Sequence, residues 1–260
     1  MADRPILFSA PMVRALLDGR KTQTRRICKG ANEAHLTYAV PLDVPPQPGW
    51  FGDEEGDVQF FSGYAPGDRL WVRESGIEMR GIPGVAGDLF RHDVPATPER
   101  GVYWSRENEG PGAGYIVAGC SRESALVGER RKVRPAIHMP RWASRLTLTV
   151  TDVRVERLHD ISDEDAKAEG ARYTEFGHAE PRGEASLDGG KTWFAMAGMK
   201  HPGWHVFDVE GPMECLGTPS AAFANLWGHI NGPGAWEANP WVVAVSFTVG
   251  HHNIDAVVAS

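Results

Sequence analysis

Arg145-Leu146-Thr147-Leu148-Thr149-Val150-Thr151-Asp152-Val153-Arg154-Val155-Glu156-Arg157 is the stretch whose pattern decides the fold. Leu146, Leu148 and Val150 alternate with Thr147, Thr149 and Thr151, the two-residue period of a strand with one apolar face. Val153 and Val155 continue in the opposite phase. A strand keeps its apolar side through such a flip only by taking in an extra residue, so a β-bulge is expected near Thr151-Asp152, as in a small closed barrel. On the C-terminal side, Ser162-Asp163-Glu164-Asp165 opens a short helix with a capping-box-like pattern, Asp standing where Glu or Gln is usual. Ile161 and Ala166 occupy the hydrophobic-staple positions, and Gly170 closes the helix. Thr218-Pro219 starts a later helix with Ala222, Phe223, Leu226, Trp227 and Ile230 on one face. Pro240 precedes a last strand, 241–249, with Val243, Val245 and Phe247 on one side.

On the N-terminal side, Ile6, Leu7 and Phe8 read as a first strand. Pro11 suits the first turn of a helix whose apolar face is Met12, Val13, Leu16 and Leu17, and Gly19 ends it. Residues 20–27 follow as a second strand. Pro66-Gly67-Asp68 marks a turn before a third, in which Leu70 and Val72 alternate with Trp71 and Arg73. The order of elements implies an α+β domain, a mixed β-barrel with flanking short helices. Three Gly- and Pro-rich stretches, about 30–60, 76–135 and 173–217, read as loop insertions within one domain spanning 1–260. They include Pro45-Pro46-Gln47-Pro48-Gly49 and Gly110-Pro111-Gly112-Ala113-Gly114.

With 260 residues, 42% hydrophobic and 23% charged, the chain has the composition of a globular protein with a substantial core. No apolar run reaches the ~20 residues of a membrane helix, and the N-terminus lacks a signal-peptide pattern, so a cytoplasmic protein is expected. Cys28, Cys120 and Cys215 form no CxxC pair. The net charge of −7 argues against non-specific coating of nucleic acid. Cations nevertheless crowd locally, at Arg14, Arg20, Lys21, Arg25, Arg26 and Lys29 and again at Arg130, Arg131, Lys132 and Arg134. Such patches suit a single nucleoside, nucleotide or short strand. His201 and His205 are separated by Pro202-Gly203, which spoils a helical HxxxH pair, and no other histidine spacing reads as a metal site. GxSxG, HExxH and dinucleotide fingerprints are absent, and neither metal nor organic cofactor is expected.

Gly19-Arg20-Lys21-Thr22-Gln23-Thr24-Arg25-Arg26 gathers an ammonium, hydroxyls and guanidiniums after a helix end. Arg20 separates Gly19 from Lys21, so this is no phosphate loop. One reading is a solvated basic strand after a helix C-cap. The other is a Lys–Thr reactive pair, but their odd spacing puts them on opposite faces of a regular strand unless the chain bends between them. On that pattern Thr22, Thr24 and Arg26 share one face. Glu169 lies three residues after Ala166, toward the buried side of its short helix. Trp71 can fill the core or stack a base, a contact worth ~1–3 kcal/mol.

The segments Pro5–Arg26, Gly67–Glu74, Leu146–Gly170 and Phe223–Val249 together resemble the ASCH family, small barrels related to RNA-binding PUA domains. Asn239-Pro240-Trp241 before the last strand is similar to the long members common in phages and prophages. The resemblance implies a PUA-like barrel. Smaller members remove the acetyl group from N4-acetylcytidine with a Lys and a Thr in a Gly-Arg-Lys-Thr-x-Thr motif and a Glu on the helix after a long strand. Lys21 and Thr24 match the first two, and Glu169 matches the third through Leu158-x-x-Ile161 and Ala166-x-x-Glu169. The implied activity is a nucleoside-directed amidohydrolase with Lys21, Thr24 and Glu169 catalytic. Arg26, Trp71 and Glu74 would bind a small nucleoside or modified base, with RNA a second candidate ligand. Lysine serves as such a base only when desolvation or neighbouring cations lower its pKa from the ordinary ~10.4. Two alternatives stand beside it: a non-catalytic reader of RNA or a modified base, and a metal-independent ribonuclease. This chain is much longer than those enzymes.

Overall fold

The 145–157 pattern becomes the central strand of a five-stranded sheet. In this computed structural model the described residues are 2–34, 36–37, 39–43, 46–79, 102–104, 114–117, 135–178, 184–186, 189, 191–192, 194–195 and 199–256. The sheet consists of β1 (Asp3–Leu7), β2 (Gln23–Ile27), β3 (Arg69–Arg73), β4 (Thr147–Arg157) and β5 (Trp241–Gly250), in the spatial order β1-β3-β4-β5-β2. β1 runs parallel to β3, and the other neighbours are antiparallel. Along β4 and β5, Val150 faces Phe247 while the next ladder pair is Asp152 with Ser246, so Thr151 is the extra residue of the expected bulge. Leu148, Val150, Val153 and Val155 are therefore all buried.

The α+β class holds, but among the described residues the barrel does not close. β1 and β2 are the two edges of the sheet and do not pair with each other. The chain passes from one to the other through helix α1 (Ala10–Leu17). A side chain spans the gap instead, Arg26 Nη2 donating to the Leu7 carbonyl at 2.7 Å.

The chain divides into two compact units, residues 1–157 with 240–260, and residues 158–239. In the first unit the expected excursion at 30–60 is a correction. It contains helix α2 (Lys29–Ala34) and a three-stranded antiparallel sheet, Val40–Asp43, Pro46–Gly52 and Gln59–Phe61. Asn32 fastens α2 to β5, its Nδ2 donating to the Trp241 carbonyl at 2.9 Å and its Oδ1 accepting from the Trp241 amide at 3.0 Å. Within 76–135, strands Gly76–Met79, Gly114–Val117 and Val102–Trp104 form another sheet. Residues 80–101, 105–113 and 118–134, among them Cys120 and the cations at 130–134, lie outside the described residues.

In the second unit, helix α3 (Asp163–Ala168) is capped as expected, the Asp165 amide donating to Ser162 Oγ at 3.0 Å. Helix α4 (Pro219–Asn231) is capped by Thr218, whose Oγ1 accepts from the Ala221 amide at 3.1 Å. Ala222, Phe223, Leu226 and Trp227 are buried, but Ile230 is 52% exposed. It lies in the last turn, just before the chain reverses at Gly232 with φ +95°. The 173–217 stretch carries short pairings rather than a bare loop: Arg172–Tyr173 with Trp204–His205, and Glu184–Ala185 with Phe194–Ala195.

Ion pairs lock both chain ends of the first unit. Arg141 Nη2 reaches Asp3 at 2.6 Å and Asp255 at 2.7 Å, and Arg69 Nη2 reaches Asp3 at 2.8 Å. Hydrogen bonds from Arg141 and then Arg69 hold the Asp3 carboxyl below its usual value, and Arg141 does the same for Asp255. A carboxylate whose folded pKa is depressed adds stability above its unfolded value, about 3.9, and loses it as pH falls through the folded value. The melting temperature should therefore drop as pH is lowered below about 4. Asp3→Asn with Asp255→Asn should flatten that acid limb in melts followed by circular dichroism; an unchanged limb would remove these pairs from the account.

Candidate active site

α1 begins after Ser9 with proline in its first turn and ends in a paired turn. The Arg20 amide donates to the Ala15 carbonyl at 2.9 Å and the Gly19 amide to Leu16 at 3.0 Å, with Gly19 at φ +69°. The Lys21 amide also donates to Ala15, at 3.0 Å. The helix cap thus takes residues 20 and 21, and β2 starts at Gln23 rather than at Arg20 as expected. Strand alternation does not apply between Lys21 and Thr24, and both are buried, at 1% and 3% exposure. The Lys21 ammonium lies 5.6 Å from the centroid of the Phe8 ring and the Arg26 guanidinium 5.2 Å from it. Phe8 thus brings two cations to one aromatic side chain.

Within β2 the ladder sets Thr24 opposite Val245 and Arg26 opposite Val243. Val245 faces Val153, and Val243 faces Val155. Thr24 and Arg26 therefore occupy the sheet face that otherwise holds valines, as the alternation predicted for them. Gln23 and Arg25 take the other face. Gln23 Nε2 donates to Ser246 Oγ at 3.1 Å, Arg25 Nη1 donates to Gln23 Oε1 at 2.5 Å, and Arg25 donates to Glu156 Oε1 through Nε at 3.1 Å and Nη2 at 2.6 Å.

Leu70 pairs with Leu148, and Leu148 with Val249, so Leu70 and Val72 share the face of Thr24 and Trp71 has the opposite one. Trp71 is buried, with the Arg73 guanidinium 4.6 Å from its ring centroid. Glu74 is buried against Arg145, which donates to its two oxygens at 2.8 and 2.7 Å. The first unit thus joins Lys21, Thr24 and Arg26 around Phe8 and β2, whereas Trp71 and Glu74 belong to a separate cluster. Glu169 belongs to the second unit. It is the last residue before Gly170 (φ +108°) and 2% exposed, and its turn closes as in α1: Gly170 donates to Lys167 at 2.8 Å and Ala171 to Ala166 at 3.1 Å.

Sequence reasoning did not assign Phe8, the Gln23–Arg25–Glu156–Ser246 chain, or Arg73. Phe8 was signalled by its phase with Ile6, and Arg73 by its phase with Trp71; the cross-strand partners of Arg25 needed the register. Among the described residues no group of three or more His, Cys, Asp and Glu side chains is placed to hold a metal. Among them, too, no helix is long and apolar enough to cross a membrane. No family model, curated protein or solved structure matches the chain.

A Cβ at Gly19 meets no atom within 4 Å, so Gly19→Ala carries only the left-handed backbone penalty. Denaturant unfolding should show a loss of about 1 kcal/mol, with Asn less damaging. Thr24→Val replaces a hydroxyl among valines with a methyl and should keep stability within about 1 kcal/mol of wild type. A larger loss would show that the hydroxyl is structural.

Proposed function

We propose that this chain is an ASCH-type, cytoplasmic, nucleoside-directed amidohydrolase that removes an acyl group from N4-acylated cytidine-type substrates. The observation that carries the reading is the burial of Lys21, 1% exposed, three residues before a buried threonine that faces Val245 across the ladder. Lysine is among the residues least often fully buried, and desolvation acts against its charged form, the direction a general base requires. Thr24 Oγ attacks the amide carbonyl carbon and Lys21 takes the hydroxyl proton. The tetrahedral intermediate expels the N4 amine as Lys21 returns the proton, the part that the resemblance gives to Glu169. Water then cleaves the threonyl ester, giving cytidine and the free acid. Arg26, fixed by Leu7 and Phe8, is the donor available to a developing oxyanion.

Polymer binding has weaker support. Of the cations clustered between Arg14 and Lys29, Lys21 and Arg25 are buried, Arg25 is paired with Glu156, and Arg20 with Asp18 at 2.9 Å. The surface left for phosphate backbones is correspondingly reduced.

Wild-type protein incubated with N4-acetylcytidine should yield cytidine and acetate by chromatography, at a rate unaffected by a chelator. Lys21→Ala and Thr24→Ala should each lower the rate about 100- to 10,000-fold. Absence of wild-type turnover across N4-acylcytidines would sink the reading, and RNA cleavage without divalent metal would replace it with the ribonuclease alternative.

A further inference from the structure

We propose that Arg73, lying over Trp71, anchors an oxyanion-binding site on the sheet face opposite Thr24. β3 alternation puts Arg73 and Trp71 on one side, and the parallel ladder with β1 places Leu7, 43% exposed, directly beside Arg73. The guanidinium is 4.6 Å from the Trp71 ring centroid. Its Nε is buried and, among the described residues, has no hydrogen-bond partner. Four arginines of this sheet region have carboxylates: Arg25 has Glu156, Arg69 and Arg141 have Asp3, and Arg145 has Glu74. Glu74, the acid adjacent to Arg73, accepts from Arg145 through both oxygens. Among the described residues, Glu74 is thus paired with Arg145 rather than with Arg73.

A buried N–H with no acceptor is an unstable arrangement that native proteins keep only for a reason, and a ligand is one such reason. The indole lies against the guanidinium, and the Nε–H with a neighbouring Nη–H makes one edge of it. That edge is a fork matched to two oxygens of one group. The ligand chemistry is therefore a carboxylate or phosphate on a small molecule, held by paired N–H donors while the cation rests on the indole. The site is independent of the proposed hydrolysis, because Thr24 and Arg26 lie on the other face.

Arginine Nε–H resonances of the full chain, with that of Arg73 assigned by its loss in Arg73→Lys, report the site directly. Sodium phosphate, sodium acetate and cytidine 5′-monophosphate are titrated at constant ionic strength, with chloride as the control. A saturable shift of the Arg73 signal with an oxyanion and not with chloride is expected. Titration heats should show affinity falling about 10- to 100-fold in Arg73→Lys, which keeps the charge but loses the fork. Arg20→Gln, just past the end of α1 and paired with Asp18, should leave that affinity unchanged. Tighter binding of the nucleotide than of phosphate identifies a nucleotide ligand, equal binding a free phosphate, and response to acetate alone a carboxylate. No saturable shift with any of the three, or equal affinity in a folded Arg73→Lys protein, overturns the proposal.

Discussion

The extra residue at Thr151 keeps the apolar side of β4 in one place along its whole length. Without it Val153 and Val155 would turn toward the side of Thr149, and Arg154 would be driven into the core, because a one-residue slip exchanges the faces of a strand. β5 carries no compensating irregularity, so Val243 and Val245 would lose their partners across the ladder. The effect reaches β2. Thr24, which is buried, and Arg26, which is half-buried, face Val245 and Val243, and these are in register with Val153 and Val155 only because the bulge restores the phase.

On the reverse face, one polar chain ties three strands. Arg25 of β2 reaches Glu156 of β4, and Gln23 of β2 reaches Ser246 of β5. The Arg25 side chain is fully buried and that of Glu156 15% exposed, so loss of Glu156 takes a doubly accepting carboxylate from a desolvated guanidinium. An edge strand that could otherwise slide is thereby held in register from the side away from Thr24. The two faces of β2 thus divide the work: one fixes the strand, the other presents a hydroxyl and a guanidinium.

Much of this sheet could be read in advance. The bulge showed as a change of phase, α1 in Pro11 and Gly19, and α3 in Ser162 and Gly170. The sheet within 30–60 was hidden because its glycines read as loop signals. In fact Gly49 and Gly52 sit in a strand where a Cβ would strike the carbonyl oxygens of Tyr64 and Val58. Composition cannot distinguish a glycine needed for flexibility from one needed for close approach. The site was legible in part. Thr24 and Arg26 followed from alternation, whereas the burial of Lys21 depended on a helix cap extending two residues into an expected strand. The pairing of Glu74 with Arg145 and the stacking of Arg73 on Trp71 arise from contacts between distant segments and leave no local pattern.

The second unit leaves β4 after Arg157 and returns to β5 before Trp241, and those two residues face each other in the ladder. Inside that unit the ends of the segment are fastened. The His159 amide donates to Asn239 Oδ1 at 2.8 Å, and the His159 ring packs 4.7 Å from that of Trp236. The consequence concerns the order of events in folding. For a flexible loop of roughly 80 residues, bringing the ends together opposes pairing by about 4 kcal/mol. A segment that has already closed on itself removes most of that barrier. The central hairpin of the first unit then behaves kinetically as a local contact, and the quickest route to the sheet runs through prior folding of residues 158–239.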